Sequence, residues 1–591
     1  LHRRRHSFPT RRSSDLFAPA AEPLHDYITP WQRDFQIKIG QNNARYFDQK
    51  GWLYFTKEIF DLFYPSYGDT YPIYNGGVGM TYEQAGGPRG GRAIMTEIHD
   101  TLTLHDRIAH HLTTCLSTIE MTSKNAPALV DNFREYYRRT STQPQGVYKT
   151  FVIRNTNDPN KVETFCQLLQ RHQIRFGRAG ARSSTKGYDY VSGKETSVNI
   201  DENDLIISAY QPKSVLAQVL LEPESRLTDS VTYDITAWSL PYAHGLEAYA
   251  LKERIEPQKP YVARQVANSK PAANAYAWCF HRHSLTDMQL LAALLQKGVK
   301  VRTATKGFEI GAQAYEPGTL VVNRNDNRQM AEKLDQILYE QATAFQVPLF
   351  PVSTGMAEKG NDLGSDAFAA ISRPDVAMVY GEDLDANSYG QTWYYFEREL
   401  GYPVTPVSLD KLHRIHLSDF STLIFADGSY NLSERQMNIV QEWVKDGGRL
   451  IVFDGAVKAF ADKDGFEIKT KEAVKKDSLA LHKPYHTRQR DGLSDGIPGA
   501  ILQAKVDNSH PLAFGLPEIY YTLKTNADAY QMPANADAPV WIDDNYASFG
   551  FIGSRIKPQI KKTPVAVYQT IGDGSAVYFI DNPLFRSFWQ Q

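Results

Sequence analysis

The residues best suited to chemistry lie in a glycine-rich string that contains a single carboxylate. It reads Tyr71-Pro-Ile-Tyr-Asn-Gly-Gly-Val-Gly-Met-Thr-Tyr-Glu83-Gln-Ala-Gly-Gly-Pro-Arg89-Gly-Gly-Arg92. A short strand over residues 79–82 is predicted to lead to Glu83, followed by a loop whose glycines let a backbone or a ligand come close. A carboxylate placed in this way can act as a general base, although a lone glutamate after a strand is most often solvated surface.

The segment from Phe17 to about Glu120 resembles the closing third of the catalytic domain of carboxypeptidase A-type zinc metallopeptidases, in their large bacterial multi-domain branch. In that family a glutamate within a Thr-Tyr-Glu-Gln or similar string is the general base, and residues 81–84 match it. The resemblance implies that Glu83 is catalytic and takes a proton from zinc-bound water during hydrolysis of a peptide or protein substrate. It also implies a periplasmic or extracellular location.

The family's zinc ligands, a His-x-x-Glu motif and a later histidine, would all precede Phe17. Residues 1–16 contain five arginines and no apolar periodicity, and they resemble translated sequencing adapter. We therefore expect residues 1–16 to be non-native, in preference to a nucleic-acid-binding arm or a transit peptide. Zinc is accordingly expected for the full-length parent, whereas this chain is expected to have no metal ligands at the family site and no hydrolytic activity of its own.

Other histidines are weak substitutes for the missing ligands. His244-Gly-Leu-Glu247 has the right spacing, but that spacing arises often by chance, and the string lies downstream of Glu83. His281 and His283 follow a predicted strand and could meet a metal, yet no carboxylate partner is evident. His111 shares the apolar stripe of a predicted helix, which favours a buried core histidine over a ligand.

Four side chains near Glu83 are candidates for substrate binding. Arg89 and Arg92 could bind a substrate carboxylate bidentately, or they could fix carbonyls of the glycine-rich loop. Tyr71 and Tyr74 are candidates for the tyrosine that donates a hydrogen bond to substrate in the resembled family, with packing as the alternative role.

Helical periodicity is strong at the end of the N-terminal region. Thr103 and Asp106 form a predicted capping box, and apolar residues recur every three or four positions from Leu104 to Ile119. These patterns predict an amphipathic helix over residues 104–120, a second helix over 128–138 and a linker over 140–146.

Beyond the linker, a pattern of strand, helix of about 12 residues and strand occurs three times and predicts parallel βαβ units. The copies cover residues 148–177, 275–304 and 376–407. The C-terminal region continues with a strand at 423–426, a helix capped by Ser433 and Gln436, and a strand at 450–453, as in a doubly wound flavodoxin-like sheet. Asp427 and Asp454 would lie at the carboxyl ends of two of its strands.

Residues 375–591 resemble class I glutamine amidotransferase-like domains, which use a cysteine nucleophile on a sharp turn after a strand. None of the three cysteines (Cys115, Cys166 and Cys279) lies in this region. The resemblance therefore implies a domain without the nucleophile, acting as a scaffold or binding module.

The composition argues against nucleic-acid binding, membrane insertion and a disulfide-rich fold. With 65 basic and 67 acidic side chains the formal net charge is -2, which gives no basic footprint for nucleic acid and no polybasic membrane face. No run approaches about 18 consecutive apolar residues, so no membrane span is expected. Three cysteines are too few for a disulfide scaffold or a cysteine-rich zinc module.

The overall prediction is an α/β chain of several domains. Its parts are a non-native segment (1–16), the C-terminal part of a peptidase catalytic domain (17–140), two α/β accessory domains (147–260 and 270–355) and an amidotransferase-like flavodoxin-type domain (374–591). We therefore predict that the chain is a fragment of a zinc metallocarboxypeptidase-like protein, whose function is the hydrolysis of peptide bonds. The alternative is a non-enzymatic secreted binding protein whose α/β domains present ligand sites.

Overall fold

The structure is a computed structural model, and it describes residues 14–58, 60–84, 92–96, 98–266, 275–382, 384–472 and 482–591. None of the helices in these ranges combines the length and apolarity that crossing a bilayer requires. The α-helices, α1–α12 in chain order, are Pro30–Lys50, Thr70–Ile73, Leu104–Lys124, Ala126–Thr142, Pro159–Arg171, Ser214–Leu221, Leu240–Ala243, Leu285–Gln296, Ala331–Ala344, Ala386–Tyr394, Glu434–Lys445 and Tyr485–Asp491.

The N-terminal region consists of helices α1–α4 and short strands that pair two by two. β1 pairs with β3 and β2 with β4, both parallel, and β5 pairs with β6 antiparallel. The strands are β1 (Asp15–Leu16), β2 (Ala21–Leu24), β3 (Tyr54–Phe55), β4 (Asp61–Leu62), β5 (Ala93–Met95) and β6 (Thr101–Thr103).

Helix α3 begins at the predicted capping box, where Thr103 and Asp106 bond each other's backbone amides. The face that it turns toward α1 is polar, and Asn42 Nδ2 donates to Ser117 Oγ at 2.8 Å. The expectation of a buried His111 was wrong: His111 is exposed and His110 is buried in its place. The reason is that α3 packs through its polar side, which leaves exposed the apolar side chains Leu104, Ile108, Leu112, Leu116 and Ile119.

The second region is built around a seven-stranded sheet with the order β10-β9-β12-β7-β11-β8-β13. Helix α5 joins β7 to β8 as predicted, but β11 lies between these strands and is antiparallel to both. The prediction of adjacent parallel strands was therefore wrong, because β11, whose four residues are all buried, occupies the position between β7 and β8. The strands are β7 (Thr150–Ile153), β8 (Gly177–Arg178), β9 (Ser183–Asp189), β10 (Lys194–Ile200), β11 (Leu205–Ser208), β12 (Ala248–Leu251) and β13 (Lys259–Pro260).

The third region repeats this split arrangement in a five-stranded sheet with the order β19-β14-β18-β15-β20. Helix α8 joins β14 to β15, and the fully buried β18 separates them and is antiparallel to both. A two-stranded hairpin, β16-β17, extends from the sheet. The strands are β14 (Ala277–Phe280), β15 (Val301–Ala304), β16 (Phe308–Ile310), β17 (Gln313–Tyr315), β18 (Leu320–Asn323), β19 (Phe350–Val352) and β20 (Phe368–Ile371).

The C-terminal sheet is mixed, and its parallel half has the order β22-β21-β23-β24-β30, which is the flavodoxin-like 2-1-3-4-5 order. Here the third predicted βαβ unit is confirmed, because β21 and β22 are parallel neighbours. Antiparallel strands complete the sheet. The strands are β21 (Val376–Tyr380), β22 (Thr405–Ser408), β23 (Thr422–Phe425), β24 (Arg449–Phe453), β25 (Ala500–Val506), β26 (Ile519–Lys524), β27 (Asp537–Ile542), β28 (Ser548–Phe549), β29 (Thr563–Ile571) and β30 (Gly574–Phe579).

One hydrophobic core joins three of these regions. It contains Tyr74 from the N-terminal region, Phe165 and Tyr242 from the second, and Tyr521 and Trp589 from the C-terminal region. Tyr521 also donates a hydrogen bond from its hydroxyl to the carbonyl of Tyr190 at 2.9 Å. The end of the chain is thereby held against the N-terminal region that carries Glu83.

Candidate functional site

Glu83 is positioned by two backbone hydrogen bonds to Leu16 and does not follow a regular strand. Its N–H donates to the Leu16 carbonyl at 3.0 Å and its carbonyl accepts from the Leu16 N–H at 2.7 Å, so the predicted strand over residues 79–82 is reduced to one bridge. Just before it, Thr81 Oγ1 donates to Asp69 Oδ2 at 2.5 Å. These hydrogen bonds fix the backbone at Glu83, whose side chain is partly exposed.

Burial shifts the pKa of two groups near this segment, Asp61 and Tyr233. Burial raises the pKa of the Asp61 carboxyl to about 7, even though it accepts hydrogen bonds from the amides of Phe63 and Tyr233. Burial, with the charge of Glu83 next in size, raises the pKa of the Tyr233 hydroxyl. The Glu83 carboxylate is therefore close enough to Tyr233 to act on it electrostatically.

The last residues of the chain complete this neighbourhood. Arg586 Nη2 contacts both carboxylate oxygens of Asp234, at 2.7 and 3.0 Å, and its guanidinium lies 4.7 Å from the centre of the Tyr64 ring. The hydroxyl of Tyr67 donates to the same carboxylate. Sequence reasoning missed this cluster because Asp234 and Arg586 are 352 residues apart and no local pattern connects them.

Three of the four predicted substrate-binding residues lie within the described structure, and two of them make hydrogen bonds to other parts of the fold. Tyr74 is buried and donates its hydroxyl hydrogen bond to the Phe63 carbonyl at 3.1 Å. The Tyr71 hydroxyl lies 2.9 Å from Nδ1 of His172 in the second region. Arg92 is exposed at the start of β5, and Arg89 lies outside the described residues.

The surroundings of Glu83 do not offer a zinc site. Within the described ranges, the group of histidine, cysteine, aspartate and glutamate side chains with ligand atoms close enough to share an ion has no member among residues 17–140. His244 and Glu247 are not a substitute, because the His244 ring is buried against Phe165 whereas the Glu247 side chain is exposed. The residues described around Glu83 therefore do not fit a bound zinc ion.

The last residues of the predicted non-native segment pack into the fold. Asp15 is buried and its Oδ2 lies 2.6 Å from Nδ1 of His110, with Gln84 Nε2 donating to the same oxygen at 3.3 Å. Leu16 forms the bridge to Glu83. The boundary at residue 16 stays a prediction.

A second candidate place lies at the carboxyl ends of the C-terminal parallel strands. Asp454 follows β24 directly with a left-handed φ of 49°, on the kind of sharp strand-to-helix turn that presents a nucleophile in other enzymes. Its Oδ1 accepts from Asn526 Nδ2 at 2.6 Å, and the next amide, of Gly455, donates to Asp427 Oδ1 at 2.9 Å. The turn is present, and its first residue is an aspartate rather than a cysteine.

Comparisons with known proteins give no family for the chain. No protein-family model matches it, and no curated protein matches it. Solved structures align with about a third of the chain: a β-galactosidase from Bacillus circulans sp. alkalophilus (14% identity, 35% of this chain and 28% of that one, TM-score 0.23), a ThuA-like protein from Parabacteroides merdae (14%, 35% and 78%, 0.24) and a protein described as a GMP synthase subunit from Thermoplasma acidophilum (12%, 36% and 92%, 0.23).

The chain spans 28–32% of the length of the first three solved structures that it matches. None of the three structures named above is a carboxypeptidase. At these TM-scores we draw nothing about activity, substrate or partner from them. The flavodoxin-like order of the C-terminal sheet rests on its own strand pairing.

Proposed function

We propose that residues 17–140 are part of a catalytic domain similar to those of carboxypeptidase A-type zinc peptidases, with Glu83 as the general base. The remaining regions act as non-catalytic α/β modules packed against that part. Peptide hydrolysis belongs to a longer protein whose preceding residues supply the zinc ligands, and the chain as written is inactive.

The observation that carries the proposal is the setting of the Thr81-Tyr82-Glu83-Gln84 string. A general base needs a carboxylate on a fixed backbone that can still reach substrate. Glu83 has a partly exposed side chain, and two residues before it Thr81 Oγ1 donates to Asp69 Oδ2 at 2.5 Å, which holds the string in place. In the longer protein, Glu83 would accept a proton from the attacking water and deliver it to the leaving amine.

A second observation supports the view that residues 17–140 are part of a larger domain. The apolar face of α3 is exposed, and the neighbouring α4 adds Val130 and Phe133, each 49% exposed. Exposed apolar side chains grouped on one helix face in this way mark an interaction site. The proposal assigns its cover to the preceding part of the same catalytic domain.

The occupant of this face can be tested by hydrogen exchange. Peptides from α3 and α4 are compared between this chain and a longer protein that carries the native preceding residues. The proposal expects stronger protection of α3 and α4 in the longer protein and a monomer in solution. Protection that instead appears in this chain as its concentration rises, with a dimer in light scattering, would assign the face to a second copy and contradict the proposal.

Activity is tested by incubating both proteins with zinc and with peptides that differ in their C-terminal residue. The longer protein should bind zinc at a site that this chain lacks and should release amino acids or peptides, whereas this chain should release none. A longer protein that folds but neither gains a zinc site nor hydrolyses any peptide would favour the alternative of a secreted binding protein.

A further inference from the structure

We propose that His281, His283 and Glu316 form a binding site for a zinc-type divalent metal ion, on elements other than those that hold Glu83. One ligating atom from each side chain lies within 4.8 Å of the other two. Glu316 Oε1 is 3.9 Å from Nδ1 of His281 and contacts Nε2 of His283 directly. Two imidazoles and a carboxylate are a donor set that zinc accepts.

The turn between β14 and α8 brings the two histidines together. Residues 281–283 continue from β14, so alternate side chains point the same way, and the rings of His281 and His283 stack with centres 4.9 Å apart. Between them Arg282 points elsewhere and donates to the Pro511 carbonyl at 3.3 Å. Ser284 then caps α8, with Asp287 bonding back to the amides of His283 and Ser284.

The carboxylate arrives from a separate element, which is why the sequence did not reveal it. Glu316 follows β17, at the end of the hairpin that extends from this sheet. Its side chain is 50% exposed, whereas those of His281 and His283 are 29% and 27% exposed. The ligand atoms of a tetrahedral zinc site lie roughly 3.5 Å apart, so binding an ion here needs adjustments of about 1 Å in the positions of the histidine rings as well as of the exposed Glu316 side chain.

Two further features favour a metal over a simple ion pair. Nδ1 of His281 is buried and has no hydrogen-bond partner within the described structure, a state that costs free energy unless a ligand satisfies the atom. Nδ1 of His283 lies 3.9 Å from Oδ2 of Asp158, at the N-terminus of α5. A carboxylate behind a histidine is the usual outer partner of a metal-bound imidazole.

Three protein ligands leave a fourth position open. Because the site is partly exposed, water or another small donor can fill that position, as in zinc sites with three protein ligands. An ion here would also join the β14–α8 turn to the β16-β17 hairpin.

The test is zinc titration of the whole chain, free of affinity tags and dialysed against a chelator, by calorimetry and with Co²⁺ as a spectroscopic probe. We expect one high-affinity zinc per chain and the intense visible absorption of four-coordinate cobalt. The double variant His281→Ala/His283→Ala should bind at least about 100-fold more weakly, since each imidazole is a direct ligand. Glu316→Gln should bind at least about 10-fold more weakly, and it tests the same site with little risk to folding because the side chain is exposed.

His413→Ala is the matched control, because His413 is exposed and remote in sequence, and it should bind zinc as the wild type does. Circular dichroism and thermal melting confirm that each variant is folded. A wild-type chain that binds no zinc would identify His283 and Glu316 as an ion pair only and would overturn the proposal. Wild-type affinity in either Glu316→Gln or the double histidine variant would overturn it as well.

Discussion

Relative to the wild type, the Asp61→Asn variant should become more stable in the N-terminal region as the pH rises. In the folded protein, burial raises the pKa of Asp61 from 3.8 to about 7. Because the folded pKa is the higher one, the unfolded state loses the proton first, and the wild type loses stability between about pH 4 and pH 7. A shift of this size corresponds to about 4 kcal/mol, of which about 3 kcal/mol develops between about pH 4.5 and pH 8.

The substitution also has a cost that does not depend on pH. Two different oxygens of Asp61 accept from the amides of Phe63 and Tyr233, at 3.3 and 2.7 Å, and an asparagine amide nitrogen cannot accept. One buried amide left without its acceptor costs about 1–3 kcal/mol. The change in relative stability with pH, rather than its value at one pH, therefore isolates the ionisation of Asp61.

Hydrogen exchange with mass-spectrometric readout measures this change, because comparing variant with wild type at each pH removes the intrinsic pH dependence of exchange. In peptides that cover residues 60–74, the opening free energy of Asp61→Asn should rise relative to wild type by about 3 kcal/mol between about pH 4.5 and pH 8. Asp131→Asn, at an exposed carboxyl, serves as the control and should give no such change. A change below about 1 kcal/mol for Asp61→Asn would refute the raised pKa.

Two further predictions concern the stability and reactivity of other regions. Lys524 and Asp581 form an ion pair at 3.0 Å, and both side chains are only 5% exposed. Lys524→Met should therefore lower the unfolding free energy of the C-terminal region, measured by urea denaturation, by about 3–5 kcal/mol, because it leaves a buried charge unpaired. Adding Asp581→Leu should recover much of this loss. Cys115 is exposed, whereas Cys166 and Cys279 are buried, and burial raises the pKa of their thiols to about 12. Ellman's reagent should therefore titrate one thiol rapidly in the native protein and three in denaturant. Three rapidly reacting thiols without denaturant would contradict the burial of Cys166 and Cys279.

Local signals in the sequence predicted local structure well. The predicted caps at Thr103 and Ser433 both form capping boxes, because each depends on residues only three positions apart. The third βαβ unit is confirmed for a related reason, since nothing separates β21 from β22 in the sheet.

Arrangements that bring distant segments of the chain together could not be predicted from the sequence. The strands β11 and β18 each enter between two strands that were expected to be neighbours, and no periodicity within a strand reports its place in a sheet. The pairing of Asp234 with Arg586 and the approach of Glu316 to His283 are likewise products of tertiary packing. The exposed apolar face of α3 has the same origin, because periodicity identifies an amphipathic helix but not what covers it.

The central claim is that Glu83 is the general base of a peptidase domain. It is tested most directly by the hydrolytic rate of Glu83→Gln in the zinc-loaded longer protein, with Glu247→Gln as a matched change at an exposed glutamate. We expect Glu83→Gln to keep its zinc and to lose about 10²–10⁴-fold in kcat, while Glu247→Gln retains wild-type activity. Wild-type kcat in Glu83→Gln would contradict the assignment.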